Sequence, residues 1–428
     1  MKRSRTLCAL SAMLLILSLS SCAPAPSEPG GKNGTDLSPT SVSLAGPPTG
    51  FDLSRSVTLD ATGWPGVLDG LDFYVVDYGA SVLGVDVTSG RTKFDASLTS
   101  HDGGSIDWIC PVQAADDKNV YTVVSNYSDQ NIPIQVELTA ISKQTGEVLW
   151  RYLPETTVMP GETECGVLAA YRLVPTPAGL LFIMAQWSDY ADGFDFFSML
   201  LDSKDGETLW GAGDQVDSVP GSNFAVILPD SGVSVLDLRS MEERLVLTTP
   251  ALQKNMQAFY VLVGQLGENL LVLKYDMMAA EYMDDGPLEA TVSLFQISAS
   301  TGELISDKPV VMESQDLWGC KVTGGALVCT GSIDPLSAVG VSVQNGSTLW
   351  QHNFSDQDWY ESIDPVLFDG YLYGLIEGSS FILDTSTGSI VSTGAWPQPV
   401  VVNEEGMIYT VVSQELGHEQ LVWAPAKR

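Results

Sequence analysis

Histidine is scarce in this chain, with three in 428 residues: His101, His352 and His418. No H-E-x-x-H, P-loop or G-x-S-x-G pattern occurs, so zincin, nucleotide-cradle and nucleophile-elbow chemistry have no support. No C-x-x-C occurs either, which removes thioredoxin-like and zinc-ribbon sites. Beyond the first twenty residues no run of 18 consecutive apolar residues could form a membrane-spanning helix. Basic side chains are few: 20 Lys and Arg stand against 53 Asp and Glu, a net charge of −33. Such a chain is repelled by nucleic acid and by anionic membrane surfaces; it permits cationic partners or divalent ions, although acidic side chains also simply solvate the surface of an exported protein. Sustained helical periodicity is also missing. What remains is 44% apolar content with ten tryptophans, enough for a sizeable core.

The N-terminus reads as an address. Lys2, Arg3 and Arg5 precede an apolar run from Leu7 to Leu19, followed by small residues and Cys22. A signal segment ends in this way. The motif Leu19-Ser20-Ser21-Cys22 resembles the lipobox of bacterial lipoproteins. That resemblance implies cleavage after residue 21 and a lipid on Cys22. Removing residues 1–21 takes away three basic residues and leaves a charge of −36. Residues 22–50 hold six prolines, many Ser and Gly and no aromatic residue, the composition of a tether that cannot repay ordering. Residues 51–428 are expected to form one domain. Lipid chains hold a protein at a membrane without spanning it. The expected location is therefore the extracytoplasmic side of the cell membrane, periplasmic or cell-surface.

Four further cysteines remain beyond Cys8 and Cys22, an even number in an oxidising compartment. Cys320 to Cys329 reads as a hairpin about Gly324-Gly325, a dipeptide that accepts positive φ at both turn positions. Counting back from that turn pairs Cys320 with Cys329 at a close, non-hydrogen-bonded site, which suits a disulfide. Cys110 and Cys165 could form a second bond between neighbouring repeats, or remain free.

The informative pattern is a repeat. Thr145-Gly146-Glu147-Val148-Leu149-Trp150 returns as Asp205-Gly206-Glu207-Thr208-Leu209-Trp210 and as Asn345-Gly346-Ser347-Thr348-Leu349-Trp350. Weaker copies surround Gly90, Gly302 and Gly388, and a degenerate one has Arg239-Ser240-Met241 at its turn. The spacing averages about 50 residues, the period of a propeller blade. Each copy sits between two strand-like runs, with a glycine free to adopt the left-handed conformation at the turn. Alternation places Val148, Trp150 and Tyr152 on one face and Leu149 on the other, so the strand asks for cover on both sides. Radially packed sheets provide it. Eight hairpin-centred units can be counted. The expected fold is all-β: an eight-bladed propeller of four-stranded antiparallel blades, with seven blades as the alternative. The last unit, Met407 to Trp423, lacks a full strand set, and a strand near Ser56 to Ala61 could complete it.

The stretch Leu138 to Trp150 resembles the repeat of pyrroloquinoline-quinone-like β-propellers. The resemblance covers roughly residues 56–428 and is strongest in the second, third and sixth units. It implies that Trp150, Trp210 and Trp350 dock blade against blade beside Gly146, Gly206 and Gly346, with Phe94 as a substitute in the first unit. One branch of that family, the quinoprotein dehydrogenases, binds the quinone and calcium at the axis. Many of its members carry an adjacent cysteine pair, which this chain lacks. Another branch is non-catalytic and includes the propeller lipoprotein of the outer-membrane β-barrel assembly machinery. In length and lipobox this chain is more similar to the second.

No catalytic residue, metal site or cofactor is therefore expected. Asp189, Asp192 and Asp195, or Asp284 and Asp285, miss the EF-hand spacing and read as solvated loops. Aromatic residues in connections are the candidate binding groups: Trp187, Tyr190, Tyr282, Trp359 and Tyr360. Loops on a repeat scaffold commonly carry binding, although these rings could equally pack beneath their loops. The expected role is a non-catalytic, lipid-anchored scaffold for envelope proteins, with small-ligand or glycan binding and quinone-dependent oxidation as the rivals. Nucleic acid is not an expected partner.

Overall fold

A computed structural model describes residues 46–427 apart from 63–65, 78–80, 99–105, 128–132, 155–168, 189–192, 230, 250–255, 279–289, 307, 314–316, 332–336, 354–364, 377–378 and 413–418. The described residues form thirty-two strands in eight four-stranded antiparallel sheets. No α-helix occurs among them; the one helical turn is a 3₁₀ turn, Leu53–Arg55. The sheets are the eight blades of a β-propeller, which decides between eight and seven.

Each of the first seven blades is built from consecutive strands, inner to outer. The first uses Val67–Asp69, Asp72–Asp77, Ser81–Asp86 and Arg91–Ser97. The next six span 106–152, 169–212, 216–248, 256–311, 318–353 and 366–394. The eighth is composite. Val401–Asn403, Gly406–Val412 and Glu419–Pro425 supply three strands, and Val57–Thr58 from the other end of the chain supplies the outermost. Val57 pairs with Trp423 and Thr58 with Val422. The chain termini thus share one sheet and close the ring.

The second and third strands of each blade are its most apolar, and their faces are covered by neighbouring blades. Phe73, Val75, Val82, Tyr121, Leu138, Leu180, Phe182, Leu270, Val272, Leu327, Leu372 and Ile408 are buried in this way. The core is a series of interfaces between sheets; Tyr121, Leu138 and Trp150 of the second blade pack with Leu180, Phe182 and Leu201 of the third.

Seven blades turn from third to outer strand through the same device. The residue that closes the third strand, or follows it directly in the third blade, is Asp86, Ser142, Asp202, Asp237, Ser298, Ser342 or Asp384. Its side-chain oxygen accepts backbone N–H groups from the turn. Its carbonyl accepts the N–H of the residue four ahead at 2.8–2.9 Å in every case. That residue is glycine in six turns, with φ between 65° and 76°. In the fourth blade it is Met241, at φ 58°. The backbone repeat has therefore outlived the glycine.

The outer strands depart from simple alternation. A register shift leaves one extra residue between Ala140/Trp150 and Ile141/Val148, and again at the matching place in blades one, three, six and seven. The extra residues are Lys93, Leu149, Leu209, Leu349 and Val391. Leu149, Leu209, Leu349 and Val391 are 45%, 41%, 48% and 44% exposed. Leu149 is consequently not covered, contrary to the expectation from alternation. A bulge bends and twists an edge strand, which hinders sheet-to-sheet pairing between molecules.

Candidate interaction surfaces

The conspicuous aromatic groups of the repeat are used within the ring. The Trp150 ring lies over Gly206 of the next blade; a Cβ there would meet the indole at 2.8 Å. Its Nε1–H donates to the Ser203 carbonyl at 3.0 Å, in the same turn. Trp350 repeats the arrangement on the seventh blade, against Gly388 and with Nε1–H donating to Thr385 O at 2.7 Å. Phe94 lies on Gly146. Trp210 and Met241 both pack against the core between the third and fourth blades. For Phe94, Trp150 and Trp350 the lock is an aromatic ring on one outer strand seated on the next blade's turn. Gly346 has a different neighbour: the Val311 carbonyl would lie 2.1 Å from a Cβ there.

The seam between the seventh and eighth blades is built differently. The eighth blade has no turn from third to outer strand, because its outer strand comes from the N-terminus. Ser392 occupies the tryptophan position of the seventh. The gap is filled by Phe51 and Trp396, whose rings lie 6.0 Å apart, with Tyr373 5.9 Å from Phe51. Phe51 is buried. Lys427 N–H donates to Gly50 O, Asp52 N–H to Pro425 O, and Tyr373 Oη–H to Pro48 O. The N-terminal segment is thus fastened along both edges. Sequence reasoning missed Phe51, although a lone aromatic just after a proline-rich stretch was a signal for it.

Several charged groups on the strands are paired. Arg172 of the third blade bonds to Asp217 of the fourth, and also donates to Ser218 O at 3.4 Å. Burial pushes the Asp217 carboxyl above the usual aspartate range, with Arg172 opposing that shift. Lys274 pairs with Asp276, and Glu137 with Arg151 at 3.4 Å. Among the described residues no three His, Cys, Asp or Glu side chains converge as a metal ligand set.

One open groove lies between the second and third blades, with a volume of about 440 Å³. Tyr152, Leu153 and Pro154 form one wall and Phe197, Met199 and Ala212 the other. The Tyr152 hydroxyl lies 2.9 Å from Met199 Sδ. His352, a strand residue in the sixth blade, is half-buried with Nε2 2.7 Å from Gly388 O.

Cys320 and Cys329 are joined, on the inner and second strands of the sixth blade, with Cα atoms 3.9 Å apart. Gly324 and Gly325 both have positive φ, 57° and 82°, as a two-residue hairpin turn of this type requires. Cys110 and Trp187 lie on strands, but their side chains are outside the described residues. Cys22, Cys165, Tyr190, Tyr282, Trp359, Tyr360, His101 and His418 lie outside them altogether, as do Asp189, Asp192, Asp284 and Asp285.

Neither a protein-family profile nor a curated protein sequence matches the chain. Among solved structures it is similar to BamB from Moraxella catarrhalis, at 15% identity over 86% of this chain and 98% of that one, with a TM-score of 0.47. The computationally designed Ika8 protein matches at 12% identity over 89% and 100%, also with a TM-score of 0.47. Quinohemoprotein alcohol dehydrogenase from Comamonas testosteroni matches at 11% identity over 87% and 76%, with the same score. At these identities the likenesses assign no role to the chain. The blade topology itself carries the fold.

Proposed function

We propose that the protein is a lipid-tethered, non-catalytic scaffold of the cell envelope that works by binding another protein. The observation that carries this reading is the use of the repeat. Its recurrent aromatic and polar groups hold blade to blade, and charged groups on its strands pair with one another, as Arg172 does with Asp217. The apparatus builds a platform, and recurrence supplies no reacting group. The lipobox at Cys22 and the tether to residue 50 would hold that platform at a membrane outside the cytosol. Cross-linking in native membranes, followed by mass spectrometry of captured proteins, tests the reading. One reproducible protein partner is expected. Turnover of a substrate by the purified chain with no captured partner would overturn it.

A second reading has one observation in its favour. The groove between the second and third blades offers the rings of Tyr152 and Phe197 on facing walls, which suits a small apolar or glycan ligand. A glycan array and Tyr152→Ala separate the two readings: loss of a specific glycan signal on that substitution would favour ligand binding.

A further inference from the structure

Five methionine side chains are described: Met184, Met199, Met241, Met312 and Met407. Met184, Met312 and Met407 are buried. Met241 is half-buried in its turn, against the core between the third and fourth blades. Of the five, Met199 is the one that lines the groove between the second and third blades. It stands on the third strand of the third blade, between the buried Ser198 and Leu200. Leu200 faces the fourth blade, so alternation turns Met199 toward the second. Its partner across the outer pairing is Gly211, which has no side chain to cover it. One flank of the thioether is therefore left to the groove, and Met199 is half-buried. From the facing wall Tyr152 Oη–H donates to Met199 Sδ at 2.9 Å. Thr208 Oγ1–H donates in turn to Tyr152 Oη at 3.5 Å. A polar O–H is thus held at the sulfur inside an otherwise apolar seam.

We propose that Met199 is a site of reversible oxidation by peroxide, and that its sulfoxide loosens the contact between the second and third blades. The sulfur lone pair attacks one oxygen of hydrogen peroxide. The S–O bond forms as the O–O bond breaks. The proton on the transferred oxygen passes to the departing hydroxide, which leaves as water. Sulfur loses two electrons and the peroxide gains them; no other protein atom changes. The Tyr152 hydroxyl, which donates to the thioether, then donates to the sulfoxide oxygen, a stronger acceptor than thioether sulfur. Packing bears the cost, because oxidation turns a flexible apolar side chain into a polar, chiral one. Met199 packs with Tyr152 and Phe197 against the core that holds Trp150, Leu180 and Phe182. The new polar group therefore arises beside the lock that seats Trp150 on Gly206. At Met184 or Met407 the same reaction first requires the blades to part, since neither side chain meets solvent. A thiol-driven methionine sulfoxide reductase returns the thioether, with water as the other product.

The test treats the folded full-length chain with hydrogen peroxide at neutral pH and maps each methionine over time by peptide mass spectrometry. Met199 should be oxidised about tenfold faster than Met184, Met312 and Met407. This arm needs no variant. A second arm uses Met199→Leu, which conserves volume and removes the sulfur while every other methionine still reacts. At the same peroxide dose the native chain should lose more Tm than this variant, and sulfoxide reductase should restore the loss. Tyr152→Phe should leave Met199 reactive but deepen the fall in Tm, because the sulfoxide oxygen then lacks its donor. Equal oxidation rates at Met199 and Met184, or an equal fall in Tm for the native and Met199→Leu chains, overturns the proposal.

Discussion

Replacing Gly206 by alanine should destabilise the ring through two separable effects. The first is conformational: Gly206 has φ 75°, and an L-residue in the left-handed region costs about 1–2 kcal/mol. The second is steric. The new Cβ would lie 2.8 Å from Trp150 Cε3 and 2.9 Å from Cδ2, and the indole is held by its bond to Ser203 O. Overpacking of a close-packed interface costs a further ~1–3 kcal/mol. Gly325 isolates the first effect, because φ is 82° and nothing lies within 4 Å of a Cβ there. Gly325→Ala should therefore cost about 1–2 kcal/mol, and Gly206→Ala about 2–5 kcal/mol. Trp150→Ala alone should cost about 3–5 kcal/mol by truncating a buried ring. In the double variant W150A/G206A the methyl has nothing to strike. The two changes should then be less than additive, with a coupling of about 1–3 kcal/mol. Denaturant unfolding followed by circular dichroism measures all four proteins. Equal losses for G206A and G325A, together with strict additivity in the double variant, would refute the lock between Trp150 and Gly206.

Phe51→Ala should loosen the seam between the last two blades and cost about 3–5 kcal/mol, read as a fall in Tm and as faster proteolysis near the chain ends. Reducing Cys320–Cys329, or replacing both with Ser, should lower stability by about 2–3 kcal/mol, as befits a small closed loop, without unfolding the ring; calorimetry with and without reductant checks this. Asp86 and Asp384 are held below the usual aspartate value of 3.8 by their turn hydroxyls, chiefly Thr88 and Ser386. They contribute stability above that value that disappears as pH falls below it, so Asp384→Ala should flatten the acid limb of a Tm–pH curve. Asp217 acts in the opposite sense: its carboxyl is raised by burial, so its contribution weakens as pH rises from the ordinary aspartate value toward the raised one. Leu149→Asp, at an exposed bulge, should change stability by no more than about 0.5 kcal/mol.

Much of the fold was legible because one local event recurs. A glycine turn followed by an aromatic residue marks a blade lock wherever Trp150, Trp350 or Phe94 stands. The strand set missing at Met407 to Trp423 pointed to a contribution from the N-terminus, and Val57–Thr58 makes it. Other features were hidden because they belong to pairs of strands. The bulge at Leu149 breaks alternation, and no single strand's pattern records it. The turn at Arg239-Ser240-Met241 lacks the glycine, yet Met241 N–H donates to Asp237 O and the residue takes up the glycine conformation. The Asp or Ser that begins each turn was overlooked because two residue types share one role as acceptor of turn N–H groups. Phe51 and Trp396 fill a seam that exists only once, so no repeat could announce them. The candidate surface was less legible still: the groove exists only where Tyr152 of the second blade meets Phe197 and Met199 of the third.

The ring is fastened by the segment that carries Val57 and Thr58. Cysteines introduced together as T58C and V422C, on facing residues of the outermost pairing, test it directly under mild oxidation. A disulfide joining peptides around 58 and 422 in the monomeric protein, with a raised Tm, is the predicted result. Two free thiols in the folded monomer would contradict it.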